Sequence, residues 1–151
     1  MTGQAYDPRY VEYFERFNRQ HFFEAHEVLE ALWLPQRQGP NGLFYKGLIQ
    51  LAGAFVHWQK NRPGPAAALL GLAHANLHKY PAIHDGLNVA GALAMVEEWL
   101  RRLKAAGAAG QSLAHTSLPQ LRLEPPARTK DERCGQQFRM SFLKASLRPV
   151  F

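Results

Sequence analysis

Apolar residues recur every three or four positions along most of the first hundred residues, the spacing of helices with one buried face. Tyr10, Phe14 and Phe17 open the series, with Glu12, Glu15 and Arg16 between them. Asp7-Pro8 supplies an N-cap and a proline at the first helical position, so a helix is predicted from about Pro8 to Phe17. Asn18 is expected to cap the next helix, which must stop near Leu34 because Pro35 follows. In that second helix Phe22, Ala25, Val28, Leu29, Leu32 and Trp33 share one broad arc, and Glu24, Glu27 and Glu30 lie off it. Phe23 falls among the carboxylates, which predicts a packed neighbour on that side. A third helix is predicted from about Leu43 to Lys60. It is apolar on two faces, with only Lys46, Gln50, His57 and Lys60 as a polar stripe, so it should lie centrally. A fourth runs from about Ala66 to Tyr80, with Leu69, Leu70, Leu72, Ala73 and Leu77 as core candidates. Asp85-Gly86 signals a turn, and a fifth helix follows from about Asn88 to Ala105 with a seam of Val89, Leu93, Val96, Leu100 and Leu103. No alternation of period two appears. The pattern predicts an all-α protein, a compact bundle of about five helices joined by short loops.

After residue 106 the composition changes. Gly107, Gly110, Ser112, Ser117, Pro119, Pro125 and Pro126 mark residues 107–127 as a linker. The expected division is a helical domain over 1–106, that linker, and a basic, disorder-compatible tail over 128–151 that folding does not need. The net charge is +6, and 128–151 hold six Lys/Arg against two Asp/Glu. A basic tail admits nucleic acid as a partner. Cys134 is the one cysteine, no apolar leader is visible, and no run approaches a membrane span, so a cytoplasmic protein with no membrane partner is expected.

Two segments together resemble a known family. Phe22-Phe23-Glu24-Ala25-His26-Glu27-Val28-Leu29-Glu30 with Trp33, and then Phe44-Tyr45-Lys46-Gly47-Leu48-Ile49-Gln50-Leu51-Ala52 with His57, look like the signature of domain of unknown function 309. Tyr80-Pro81 and Gly86 also fit, and the resemblance spans roughly 8–104. It implies a small all-helical domain and no activity.

The polar residues of these two segments form the candidate site: Glu24, His26, Glu27 and Glu30 with Lys46, Gln50 and His57. If the helices are antiparallel neighbours, Glu24 and His26 approach His57, Glu27 meets Gln50 midway, and Glu30 and Trp33 approach Lys46. Such a group can be a structural network, with His26 paired to Glu30 and Lys46 to a facing Glu. It can equally be a ligand pocket. As metal ligands, His26, Glu27, Glu30 and His57 would be the candidates, but no metal or other cofactor is expected. Glu30 stands where the zincin helix has its second histidine, and no Glu-x-x-His is present. His74 and His78 have metal-compatible spacing without an obvious third ligand. The function expected is a binding or interaction module for an unknown small molecule or protein, and a homo-oligomer is compatible with it. The alternatives are a metal-dependent or acid–base enzyme using the Glu/His group, and nucleic-acid binding through 128–151.

Overall fold

The computed structural model describes residues 6–109 and 118–125. Among them the chain forms an all-α bundle: α1 (Pro8–Asn18), α2 (Phe22–Trp33), α3 (Gly42–Gln59), α4 (Pro63–Leu77) and α5 (Val89–Ala109). A single 3₁₀ turn, Leu34–Gln36, follows α2. The first helix starts as its sequence dictates, with the Asp7 carboxylate accepting from the Arg9 amide and Pro8 in the first turn. It buries Tyr10, Tyr13, Phe14 and Phe17. Tyr13, not singled out by the pattern, is fully enclosed, and its hydroxyl donates to the Leu48 carbonyl at 2.7 Å.

The third helix is central. It packs against α2 on one side and α4 on the other. Gly47 lets α4 approach: a Cβ there would lie 2.9 Å from Leu77 Cγ. The core runs from Phe17 and Phe22 through Phe55 to Trp99, with ring centroids 5.0–5.8 Å apart. Trp99 of α5 is one of the largest buried side chains, although the seam of leucines predicted for that helix passed over it. Leu93 and Leu100 of that seam are only half-buried, and Leu72 of α4 is exposed. A helix rich in alanine and leucine has little amphipathic contrast, so its sequence does not say which leucines turn inward.

Two local expectations are corrected. Short strands do exist: β1 (Ile83–His84) pairs antiparallel with β2 (Leu87–Asn88). Two residues per strand are too few to show a period. The turn between them, Asp85-Gly86, has positive φ at both positions, 46° and 78°, the geometry of a tight hairpin. Asn88 then accepts from the Gly91 amide at 2.9 Å and caps α5.

The second correction concerns Asn18. It does not cap α2, whose N-cap, His21, makes no side-chain capping bond. Asn18 instead points inward and is only 8% exposed. Its amide donates to the Leu121 carbonyl and accepts from the Leu121 amide, both at 2.7 Å. Gln120 adds a bond to the Asn18 carbonyl at 3.1 Å. Further along, Leu123 bridges to Leu87, and the Glu124 amide donates to the Gly86 carbonyl at 2.8 Å. Within the stretch expected to be a linker, residues 118–125 therefore strap the bundle, and Leu121 belongs to its core. The tail, 128–151, lies outside the described residues.

Candidate functional site

The second helix carries no Lys or Arg. Phe22, Ala25, Leu29 and Leu32 anchor it in the core, which leaves Phe23, Glu27, Glu30 and Leu34 along its outer side at helical spacing. Among the described residues the packed neighbour expected beside Phe23 is not found: Phe23 is 54% exposed, and its ring stacks on His26 with centroids 6.0 Å apart. Leu34 at the other end is 46% exposed. Glu24 and Glu27 are exposed and Glu30 half-buried. None of the three makes a hydrogen bond or ion pair among the described residues. The expected pairing of His26 with Glu30 is not formed, and Lys46 is exposed with no carboxylate partner among the described residues.

The third helix turns part of its polar stripe elsewhere. Lys46, Gln50, Gly53 and His57 form one stripe, and that stripe borders α4. Gln50 accepts from the Asn76 amide of α4 at 2.8 Å, and a Cβ on Gly53 would lie 3.4 Å from Leu69. Gln50 is therefore not the midway partner of Glu27. No hydrogen bond joins the two halves of the candidate set. Three ring nitrogens in this region are buried without a partner: His26 Nδ1, Trp33 Nε1 and His57 Nδ1. Such orphans are uncommon in folded proteins. His74 has a partner that sequence spacing could not show: its Nε2 lies 2.8 Å from Glu97 of α5. Among the described residues no three His, Cys, Asp or Glu side chains are grouped as a metal would need.

A second polar constellation, missed in the sequence, sits where the hairpin meets the start of α3. Asn41 Nδ2 donates to Asp85 Oδ2 at 2.7 Å, and Asn41 Oδ1 lies 2.8 Å from His84 Nε2. A carboxylate only accepts, which fixes the amide nitrogen toward Asp85 and makes His84 Nε2 the donor to Oδ1. Tyr10 donates to the Asp85 carbonyl and Tyr80 to the Pro40 carbonyl, both at 2.8 Å. The Phe44 amide, one of the free donors at the start of α3, gives its hydrogen to the Tyr80 hydroxyl at 3.0 Å. The His84 ring lies 4.6 Å from that of Phe44. Burial pushes the Tyr10 phenol far above its usual range, helped by the nearby Asp85. Burial raises Tyr45 and Tyr6 as well. The only sequence signals here were Asn41-Gly42 and Asp85-Gly86, legible as turns.

By fold this is a small helical-bundle protein, and among the described residues no helix is long and apolar enough to cross a membrane. Residues 10–69 match the family described as "Domain of unknown function (DUF309)", which bears out the resemblance drawn from the two segments. The match covers α1, α2 and α3 and enters α4. No curated protein matches the chain.

Proposed function

We infer that this protein is a binding or interaction module and that the outer side of α2 is its contact surface. The observation carrying this reading is the composition of that side: two large apolar residues, Phe23 and Leu34, half-exposed and bracketing carboxylates with no partner among the described residues. Single exposed apolar residues are ordinary, but here an aromatic and a leucine share one helical stripe with an unpaired acidic set. The surface suits a cationic protein segment with spaced apolar side chains, laid along the helix as in other groove- and face-bound peptides.

The test is a titration of the protein with a synthetic Lys/Leu amphipathic peptide, followed by backbone amide shifts. Shifts confined to residues 22–36, weakened by salt and lost in Phe23→Ala, are the expected result. Shifts scattered over α4 and α5, or none, would overturn it.

A further inference from the structure

We propose that residues 128–151 of this chain are the segment that covers the outer side of α2. The inference rests on the reading of that side as a contact surface and adds its occupant. Three observations carry it.

The first is charge. Among the 128–151 residues are Arg128, Lys130, Arg133, Arg139, Lys144 and Arg148 against only Asp131 and Glu132. Most other carboxylates are already paired: Asp7 with Arg9, Glu12 with Arg16, Glu97 with His74, and Glu98 with Arg101 and Arg102. The densest acidic set without a partner among the described residues is Glu24, Glu27 and Glu30. The second is apolar content. Phe138, Phe142 and Leu143 stand among those cations, matching a surface whose apolar members, Phe23 and Leu34, are divided by carboxylates.

The third is position. The strap ends beside the start of α1, where the Tyr6 hydroxyl donates to the Glu124 carbonyl at 2.8 Å and the Tyr6 ring packs on Tyr10 at 5.5 Å. From that same end of α1, Arg9 donates to the Ala31 carbonyl of α2 at 3.4 Å. The chain beyond residue 125 therefore departs near the C-terminal half of α2. A helix of 12 residues is about 18 Å long, and a chain covers up to about 3.3 Å per residue, so the remaining residues reach along all of α2 with length to spare. Docked there, the tail would compete with any external partner for the same surface.

Cys134, the one cysteine, gives a handle inside the tail. A nitroxide is attached to it in the full chain, and loss of amide signal is read along the protein against the reduced, diamagnetic sample. The expected result is loss concentrated on residues 23–34, relieved at about 1 M salt, where screening is short-ranged, and relieved in Glu27→Lys. Equal or greater loss on the outer sides of α4 and α5 would overturn the proposal, as would no loss at all. A mixture of nitroxide-bearing protein with isotope-labelled Cys134→Ser protein reads contact between copies. Loss on α2 appearing only in that mixture would place a second copy's tail there and overturn docking within one chain. The Lys/Leu peptide separates the two levels of inference. If the nitroxide leaves α2 untouched while the peptide still shifts it, the tail proposal falls and the contact surface stands; if neither acts on α2, both fall.

Discussion

The hairpin end of the molecule and the outer side of α2 are equally rich in polar groups and treat them in opposite ways. Around Asn41 the polar groups are joined to one another: His84, Asp85, Tyr10 and Tyr80 close a set of bonds at 2.7–3.0 Å that fastens the hairpin to the start of α3. On α2, Glu24, Glu27 and Glu30 have no partner among the described residues, and the His26 and Trp33 ring nitrogens of the same helix are buried without one there. A buried polar group left without a partner costs about 1–3 kcal/mol, so a fold satisfies those it depends on. The satisfied end is structural. The carboxylates of α2 are solvated instead, so the fold does not depend on them, and the proposed contact surface uses groups that water alone serves among the described residues. The comparison can be broken by measuring what each group contributes to stability.

The largest effect is expected at a third place, the strap, which shares the logic of the satisfied end. In Asn18→Ala both the amide and the carbonyl of Leu121 lose their partners inside the core. A loss of about 2–4 kcal/mol in urea unfolding is expected, since two buried groups are left unmet at once. The same strap argues against free removal of everything after residue 106: cutting there would take Leu121 out of the core, worth about 1.5–3 kcal/mol of apolar burial. A chain cut after residue 106 with an unchanged midpoint would show the strap to be idle.

Next comes Asn41→Ala, which removes the amide joining His84 to Asp85. Both groups are near solvent, so water replaces part of what is lost, and about 1–2 kcal/mol is expected. The same end predicts an alkaline response. Burial holds the Tyr10 and Tyr13 phenols well above the ordinary value of about 10. Above that pH the unfolded chain releases phenolic protons that the native state keeps. Stability present below about pH 10 is therefore lost as pH rises. Tyrosinate absorbance should appear for these two residues only together with loss of helix. Their ionisation at pH 10 with helicity intact would show that the core around α1 is open.

The bundle itself was legible in the sequence because long segments repeat their apolar period: α1, α2, α3 and α5 were placed from Tyr10, Leu29, Leu48 and Val96 and their neighbours. What was not legible depends on pairs distant in sequence. Asn18 read as a cap because a cap is a local signal, whereas its partner Leu121 lies 103 residues away. Asp85 read as a turn residue for the same reason, with Asn41 and Tyr10 out of view. For the candidate site, the residue types were identified but not their grouping. Helical spacing places Gln50 and Glu27 on stripes, but only packing decides that the stripe of Gln50 turns toward Asn76 rather than toward α2. Helical spacing likewise does not tell whether Phe23 is covered; among the described residues it stacks on His26 and is otherwise exposed.

The smallest stability effect is expected on α2, and it is the most informative. Glu27→Gln keeps the shape of the side chain and removes its charge. A carboxylate in a charge-assisted network would lose about 1–3 kcal/mol. Glu27 is exposed and has no partner among the described residues, so the change should stay within about 0.5 kcal/mol, the range of ordinary surface substitutions. Glu30→Gln should behave alike, although Glu30 is half-buried. Both should weaken the Lys/Leu peptide several-fold and flatten its salt dependence, because each removes one charge from the surface the peptide meets. The contrast with Asn41→Ala is the test. If Glu27→Gln costs as much stability as Asn41→Ala, α2 is held by its carboxylates and is no spare surface. If it costs nothing and peptide affinity is also unchanged, these carboxylates are solvated charges without a role. Only unchanged stability together with weakened binding supports a helix side that the fold leaves free for a partner.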